Sequence, residues 1–299
     1  MVRKRKGDPV SGWVNFDKPL GMTSTQAVGR IRRLLNAQKA GHAGTLDPLA
    51  SGVLPIALGE ATKTVPFMMD AIKTYEVTVI WGEARDTCDA EGEVIETSLQ
   101  RPQAAQIEAV LGQFTGVIDQ VPPRFSAIKI AGQRAYDLAR AGQIVEMTSR
   151  KVRIDTIEIL HIAQHQADFR VTCGKGTYIR ALARDMAKAL GTVGYVGQLR
   201  RTRVGSFFDG AAFSLDVLEN LHYEGGVLGS LRPVETALDD IPVLIATDQD
   251  ANALKYGRVI GCPEDFTHSD WVLVKDGHKA LALCQPRDGH LAPKRVFNL

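Results

Sequence analysis

Residues 41–52, GHAGTLDPLASG, hold three glycines and one proline within twelve positions. Glycine weakens helices and strands, and proline lacks the backbone N–H that both use, so this stretch predicts a loop and excludes a regular helix or a central strand. A single carboxylate, Asp47, stands immediately before Pro48. One interpretation is that Asp47 only opens a turn, as Asp before Pro often does. The other is that a stiff loop presents this acid to a substrate.

The composition is that of an ordinary globular protein. The 299 residues are 44% hydrophobic and 23% charged, which is enough for one large domain and a smaller one. No apolar run approaches the roughly 20 residues of a membrane helix, and no apolar segment of a secretory signal follows the basic start MVRKRKGDP. The four cysteines are far apart and form no CxxC pair, which argues against zinc or a disulfide framework and favours a reducing, cytoplasmic setting.

Charge is distributed unevenly along the chain, although its net charge is only +2. Residues 121–206 contain 15 Lys and Arg against 6 Asp and Glu, whereas the remainder contains 21 against 28. A basic segment in an otherwise acidic protein predicts docking of a polyanion, with salt-sensitive binding. The alternative is a solvated basic surface that has no partner.

The hydrophobic pattern predicts helices and strands in no regular alternation. Residues 12–19 read as a strand that stops at Pro19, and residues 73–81 alternate between apolar and polar side chains as a strand does. Thr23 and Thr177 are predicted to cap helices. Further strands are predicted at 150–160, 168–173 and 193–208, a strand or turn at 53–58, and helices near 60, at 101–114 and at 135–141. This mixture predicts an α+β fold with a mixed, largely antiparallel sheet and flanking helices.

The pattern changes after about residue 210 to short, acidic pieces. A helix at 248–256 and strands near 271–275, 279–284 and 295–297 predict a small β-rich module at the C-terminal end. We therefore predict a basic tail at 1–11, a main domain at 12–244 and a C-terminal module at 245–299.

The sequence lacks the motifs of several enzyme classes. There is no GxxxxGK[ST] phosphate loop, no GxSxG elbow and no pair of histidines at metal-binding spacing. The remaining candidate is one carboxylate in a stiff loop. It can act as a nucleophile or general base when it is ionised and correctly oriented. A neighbouring arginine would favour its charged form. A target base within RNA would first be flipped out of its stack against an aromatic ring. Tyr75 and Tyr178 are candidates for that ring, and packing in the core is the alternative role for both.

Five motifs in a fixed order together resemble the TruB family of tRNA pseudouridine synthases over about residues 12–206. They are DKP at 17–19 with Gly21, Thr23 and Ser24; GHAGTLDPLASGVL at 41–54; KTY at 73–75; QVPP at 120–123, continuing through SAIK at 126–129 to RAY at 134–136; and GKGTYIR at 174–180, followed by LRR at 199–201. The resemblance implies a pseudouridine-synthase sheet and an isomerase that converts uridine to pseudouridine at position 55, in the T loop of tRNA.

The resemblance also implies roles for single residues. Asp47 is the implied catalytic acid, which attacks either the ribose C1′ or the uracil ring, and Arg180 pairs with it. Tyr75 is implied to stack on the flipped uracil and to take part in proton transfer. The other implied site residues are Tyr178 and Leu199 in the base pocket, His42 in the space that the base leaves, and Lys18 with Pro19 behind the loop.

The implied partner is tRNA, with no cofactor, no metal, no membrane and no obligatory protein partner, and the enzyme is expected to be a cytoplasmic monomer. The segment 122–150 is implied to be a mobile thumb that closes over the RNA. The C-terminal module is implied to be a PUA-like RNA-binding domain.

One position departs from the family pattern. The family hairpin reads GxxTDTxDxxG, whereas residues 82–92 carry Arg85 at the first Thr position and keep Asp86, Thr87 and Asp89. We expect a local change in backbone or RNA contact rather than a loss of activity. Two alternatives stay open: a non-catalytic RNA-binding or RNA-folding protein on this scaffold, and an enzyme that works within a guide-RNA complex, as the related archaeal and eukaryotic enzymes do.

Overall fold

The computed structural model describes residues 7–126, 129–130, 133–134 and 147–299. Its strands are β1 Gly12–Lys18, β2 Ala40–His42, β3 Ala50–Leu58, β4 Lys73–Trp81, β5 Glu83–Arg85, β6 Val94–Thr97, β7 Gly116–Gln120, β8 Lys129–Ile130, β9 Gln133–Arg134, β10 Arg150–Ile162, β11 Gln166–Cys173, β12 Gly194–Val204, β13 Phe207–Phe208, β14 Leu231–Arg232, β15 Val243–Ile245, β16 Ile260–Gly261, β17 Val272–Asp276, β18 Lys279–Arg287 and β19 His290–Val296. The predicted helix at 135–141, most of the predicted thumb and residues 1–6 of the predicted tail lie outside the described residues.

The α-helices in this part of the chain are α1 Ser24–Leu34, α2 Val65–Asp70, α3 Ala104–Val110, α4 Ile179–Ala189, α5 Leu215–Tyr223 and α6 Asp248–Lys255. Short 3-10 helices occur at Gly59–Lys63, Leu111–Phe114, Asp209–Ala211, Val227–Ser230, Val234–Leu238 and Glu264–Phe266. None of these described helices is long and apolar enough to cross a membrane.

Ten of the described strands form one sheet in the order β14-β1-β3-β12-β4-β11-β10-β7, with β2 added at β3 and β13 at β12. Its pairs are antiparallel except for β3 with β12. This confirms the predicted α+β class and the mixed, largely antiparallel sheet. The parallel pair places Leu199 of β12 beside Ala50 of β3, and Arg201 beside Gly52.

Strand β4 covers the predicted residues and alternates as expected. Val77 and Trp81 are buried on the face where α4 packs, through side chains that include Leu182 and Met186. Each fully buried aliphatic side chain contributes about 1.5–3 kcal/mol to stability, so this contact fixes α4 firmly on the sheet. The first turn of α4, which carries Arg180, is thereby held at the sheet surface.

The two helices that flank the site start in different ways. Thr23 caps α1 as predicted: its hydroxyl accepts from the Gln26 N–H, and the Gln26 side chain accepts from the Thr23 N–H at 2.8 Å. The predicted cap of α4 by Thr177 is wrong, because Tyr178 occupies the N-cap without a side-chain bond. The Thr177 hydroxyl instead donates to the carbonyl of Gly174 at 3.2 Å, a local backbone bond that competes with capping.

The loop predicted at 41–52 is correct only in its middle. Gly41 and His42 belong to β2, and residues 50–52 begin β3, which lies between β1 and β12. The expectation that no central strand occurs here is therefore wrong for residues 50–52. Glycine is needed in this strand because β12 passes very close to it. A Cβ on Gly52 would lie 2.2 Å from the carbonyl oxygen of Arg201, and Gly52 has φ +102°, which favours glycine. We call the remaining loop, residues 43–49, the Asp47 loop.

The predicted β-rich C-terminal module forms a second sheet in the order β15-β17-β18-β19-β16, with α6 packed on it. Its first strand begins at Val243, close to the predicted boundary. The module shares a core with the main sheet, since Leu273 and Phe297 belong to the same buried cluster as Trp13 and Val53. The underside of β1 and β3 is thus covered by the C-terminal module.

Candidate active site

The Asp47 loop is held on both sides of its acid. The Leu46 N–H donates to the hydroxyl of Ser24 at 2.9 Å, and that hydroxyl donates back to the Leu46 carbonyl at 3.0 Å. After the acid, the Ala50 N–H donates to the Asp47 carbonyl at 3.1 Å. The loop is therefore stiff, as predicted, while the Asp47 side chain remains 38% exposed and open to a substrate.

Lys18 supports the same loop from β1. Its side chain is buried, and Nζ donates to the carbonyls of Pro19 and Met22, each at 2.8 Å, and of Pro48 at 3.4 Å. Burial lowers the pKa of Lys18 from 10.5 to about 8, and the nearby negative charge of Asp47 opposes this shift. The structure thus places Lys18 and Pro19 directly behind the Asp47 loop, where the resemblance puts them.

Arg180, in the first turn of α4, meets Asp47 across the site. Its Nη2 lies 2.9 Å from Asp47 Oδ2, and its Nη1 lies 3.3 Å from Asp89 Oδ2. Two carbonyls also accept from Arg180, that of Thr87 at 3.0 Å and that of Phe125 at 2.9 Å. Arg180 is only 6% exposed, and a buried charge requires such partners. This contact fixes the direction in which Asp47 points.

Asp89 is a site residue that sequence reasoning does not single out. It is 7% exposed, and its Oδ1 accepts from the Thr87 hydroxyl at 2.6 Å and from the Glu91 N–H at 3.1 Å. Its other oxygen is thereby directed at Arg180. The available signal was that Asp89 is one of the hairpin positions that match the family pattern.

Tyr75 and Leu199 lie on the neighbouring strands β4 and β12. Both are half-buried and pack against two core clusters, one beneath α4 and one beneath α1. Burial raises the pKa of Tyr75, the charge of Arg201 opposes the shift, and Asp47 adds to it. Tyr75 is the register partner of Arg201, which donates to the Gly44 and Thr45 carbonyls of the Asp47 loop.

Tyr178, the N-cap of α4, approaches from another element. Its N–H donates to Gln120 Oε1 at 2.8 Å, and Gln120 Nε2 donates back to the Tyr178 carbonyl at 3.2 Å. The guanidinium of Arg150 lies 5.5 Å from its ring centroid. Burial raises the pKa of Tyr178, Arg150 opposes this, and Asp47 again adds to it. Tyr178 stands two residues before Arg180, which pairs with Asp47.

Arg201 is a second buried arginine that sequence reasoning does not single out. It is 1% exposed, and its guanidinium donates to the carbonyls of Val53 at 2.8 Å, Gly44 at 3.1 Å and Thr45 at 3.3 Å. Among the described residues it forms no ion pair with an acid. It joins the start of the Asp47 loop to β3. Its only sequence signal is its place in the LRR run.

His42, the last predicted site residue, lies at the end of β2, opposite Ile56 on β3. Burial, with a smaller effect of Arg201, lowers the pKa of His42 from 6.5. Its Nδ1 is buried and has no hydrogen-bond partner in the described part of the chain. The structure therefore places an uncharged imidazole ring next to the Asp47 loop at neutral pH.

Part of the basic excess at 121–206 is used inside the protein. Arg180 and Arg201 are buried, and Arg170 is paired with Glu76 at 2.9 Å and with Glu158 at 3.4 Å. A count along the sequence therefore overstates the basic surface that is free to bind a polyanion. Docking of a polyanion on this segment stays a prediction.

Comparison with family models defines the class to which this fold and site belong. The model described as "TruB family pseudouridylate synthase (N terminal domain)" matches residues 32–179, and "tRNA pseudouridylate synthase B C-terminal domain" matches residues 180–239. The Asp47 loop and Arg180 fall within these two matches. The matched residues therefore define a pseudouridine synthase.

Relatives named tRNA pseudouridine synthase B extend the similarity to the whole chain. The protein of Caulobacter sp. (strain K31) is 52% identical over 100% of both chains, and that of Bradyrhizobium diazoefficiens is 54% identical over 100% of this chain and 89% of its own. The chain belongs to the TruB family of tRNA pseudouridine synthases and isomerises uridine to pseudouridine in tRNA. The alternative of a non-catalytic RNA-binding protein is therefore set aside.

Solved structures share the fold along nearly the whole chain. A Cbf5–Nop10–Gar1 complex gives a TM-score of 0.76 at 29% identity, covering 96% of this chain and 85% of that one. The archaeal box H/ACA sRNP Nop10–Cbf5 complex gives 0.74 at 26% identity, covering 100% and 93%. The C-terminal module is therefore part of the shared architecture.

Proposed function

We propose that this enzyme acts on the uridine at position 55, in the T loop of tRNA, and that the Asp47 carboxylate carries out the attack without a cofactor. The observation that carries the proposal is the 2.9 Å ion pair between Asp47 and the buried Arg180. A residue that only opens a turn needs no such partner from a distant helix. A carboxylate that must meet a reacting atom does need a fixed direction.

The reaction exchanges two bonds at one ribose carbon. The N1–C1′ bond of uridine breaks, the C5–C1′ bond forms, N1 gains a proton and C5 loses one, so no oxidant or reductant takes part. Asp47 attacks either the ribose C1′ or the uracil ring and leaves again as a free carboxylate when the new bond is complete. Arg180 holds its direction in both routes.

The uridine must leave its stack before Asp47 can reach it. Tyr75, Tyr178 and Leu199 offer aromatic and apolar surface for the flipped base, and stacking on an aromatic ring is worth about 1–3 kcal/mol per base. The raised pKa keeps the Tyr75 hydroxyl protonated at neutral pH, so Tyr75 would enter proton transfer as a donor. His42 takes the vacated space, where an uncharged ring costs less to desolvate than a charged one.

The test uses a T-arm transcript that carries tritium at uracil C5, because the isomerisation releases that hydrogen to water. Wild type should release one label per transcript, and Asp47→Asn should release none while binding the transcript with unchanged affinity. Placing the only labelled uridine at another loop position should abolish release by wild type. Release by Asp47→Asn at the wild-type rate would refute the assignment of Asp47.

We also propose that the chain works alone on tRNA, as a cytoplasmic monomer. The full-length similarity to proteins named tRNA pseudouridine synthase B, at 52–54% identity, exceeds the 26–29% identity to the Cbf5 proteins of the H/ACA complexes. The purified chain should therefore modify a tRNA transcript without a guide RNA or a second protein. Activity that appears only after a guide RNA is added would contradict this.

A further inference from the structure

The hairpin between β5 and β6 supplies two of the partners that hold Arg180. The Thr87 carbonyl accepts from Nη1 at 3.0 Å, and Asp89 Oδ2 lies 3.3 Å from the same nitrogen. The turn of this hairpin is therefore one wall of the Arg180 site. Whatever fixes the turn also fixes the direction from which Arg180 meets Asp47.

Arg85 closes this turn. Its Nη1 donates to the carbonyls of Gly92 at 3.1 Å and Ala90 at 3.3 Å, on the far side of the turn, and its Nη2 pairs with Glu83 at 3.0 Å. Its side chain is only 24% exposed. A threonine at this position is too short to reach those carbonyls. Arg85 therefore braces the turn from its β5 side.

The same guanidinium joins the hairpin to the main sheet. It lies 4.6 Å from the ring centroid of Tyr195 on β12, close enough for a cation–π contact. One residue further along β12, the Val196 N–H donates to the carbonyl of Cys88 in the turn at 3.0 Å. The Arg85 side chain and the Cys88 backbone thus both hold the hairpin turn against β12. Cys88 lies between Thr87 and Asp89, the two residues that contact Arg180.

We propose that Arg85 is a positioning residue for the reaction: it holds the hairpin turn so that Thr87 and Asp89 keep Arg180 directed at Asp47. The role rests on the proposed function of Asp47 and Arg180. Arg85 is engaged by Glu83, two carbonyls and Tyr195, and through these contacts it acts on the turn. Its loss affects the rate of the chemical step more than the affinity for tRNA.

The first test measures single-turnover rates at saturating tRNA and, separately, tRNA affinity. Arg85→Met should lower the rate about 5- to 50-fold, since it removes charge-assisted hydrogen bonds and the contact with Tyr195, and leave affinity within about 2-fold. Arg85→Lys should lie between wild type and Arg85→Met, because lysine keeps the charge but lacks the planar fork of donors. Tyr195→Leu should lower the rate in the same direction.

Arg170→Met is the matched control. Arg170 on β11 forms ion pairs with Glu76 on β4 and Glu158 on β10, away from the hairpin turn, so the rate of Arg170→Met should equal that of wild type. Thermal unfolding of each variant verifies that the fold is kept. If Arg85→Met does not fold, Arg85→Lys and Arg85→Thr carry the test, and unchanged rates in these two overturn the proposal.

A double-mutant cycle identifies the route. In an Asp89→Asn background, Arg85→Met should cause little further loss, because both changes act on the same contact with Arg180. A full additional loss in that background overturns the proposal, as does a weaker affinity with an unchanged rate. Asp47→Asn is measured in the same assay. An active Asp47→Asn enzyme defeats the proposed function, whereas an inactive one beside normal Arg85 variants defeats only the role of Arg85.

Discussion

Two buried arginines serve the Asp47 loop in different ways. Arg180 contacts the side chain of Asp47, shares its charge with a second acid, Asp89, and is 6% exposed. Arg201 pairs with no acid among the described residues: its guanidinium, 1% exposed, donates to three carbonyls, two in the loop and one in β3, and also lies beside the Tyr75 side chain. One arginine therefore directs the acid, and the other shapes the chain that carries it.

The difference separates catalysis from stability. Carbonyl dipoles can satisfy the donors of Arg201, but they do not neutralise its charge, so this arginine is retained at an energetic cost. Its charge also reaches other residues of the site, where it contributes to the lowered pKa values of Lys18 and His42. We therefore expect loss of Arg180 to affect turnover first and loss of Arg201 to affect folding first.

The largest expected effect is that of Arg180→Met on turnover. Removing one partner of a buried charge pair costs about 3–5 kcal/mol, which corresponds to a fall in kcat of roughly two to four orders of magnitude if the whole cost raises the activation barrier. Affinity for tRNA should change by less than about 5-fold in a filter-binding measurement, because Arg180 is buried against acids. A loss confined to affinity would contradict the assignment.

The next effect is that of Arg201→Met on stability. It leaves the carbonyls of Gly44, Thr45 and Val53 without this donor, and each buried acceptor that stays unsatisfied costs about 1–3 kcal/mol. We expect the free energy of unfolding, measured in urea, to fall by about 3 kcal/mol, with Arg201→Lys intermediate. A variant of wild-type stability that has lost all turnover would break the comparison, since it would make Arg201 a second catalytic arginine.

The smallest expected effect is the pH dependence caused by two buried lysines, Lys18 beneath the Asp47 loop and Lys73 on β4. Burial lowers the pKa of each from 10.5 to about 8. Between about pH 8 and 10.5 the unfolded chain therefore binds more protons than the folded one, and the contribution of each lysine to the free energy of unfolding rises with pH in this window. Lys18→Met and Lys73→Met should each flatten that rise by about 1–2 kcal/mol.

Turnover distinguishes these two lysines. Loss of the Lys18 charge weakens its hold on the carbonyls of Pro19, Met22 and Pro48, so the wild-type rate should fall as the pH rises through about 8. Lys73→Met should keep this decline, because Lys73 donates to Met69 and Ala71, away from the loop. If Lys73→Met lost this decline in rate, the titration that controls turnover would belong to Lys73 and not to Lys18.

Local patterns in the sequence predicted much of the fold. The strand at 73–81 follows from strict alternation, and the start of α1 follows from the predicted cap at Thr23, whose hydroxyl accepts from the Gln26 N–H. Thr177 carries an equally good local signal for a cap, yet its hydroxyl bonds to Gly174. A hydroxyl has several acceptors within reach, and only the folded backbone decides which one is nearest.

The sequence by itself determined that Asp47 stands in a stiff loop, and its ordered motifs pointed to Arg180 as the partner. Only the tertiary structure decided that residues 50–52 enter a central strand, because that requires β12 to pass where a Cβ on Gly52 would lie. Only it revealed that Arg201 is buried under the loop and that Asp89 shares Arg180. Composition and periodicity report local preferences, whereas these contacts join segments far apart in the chain, whose distances are set by packing.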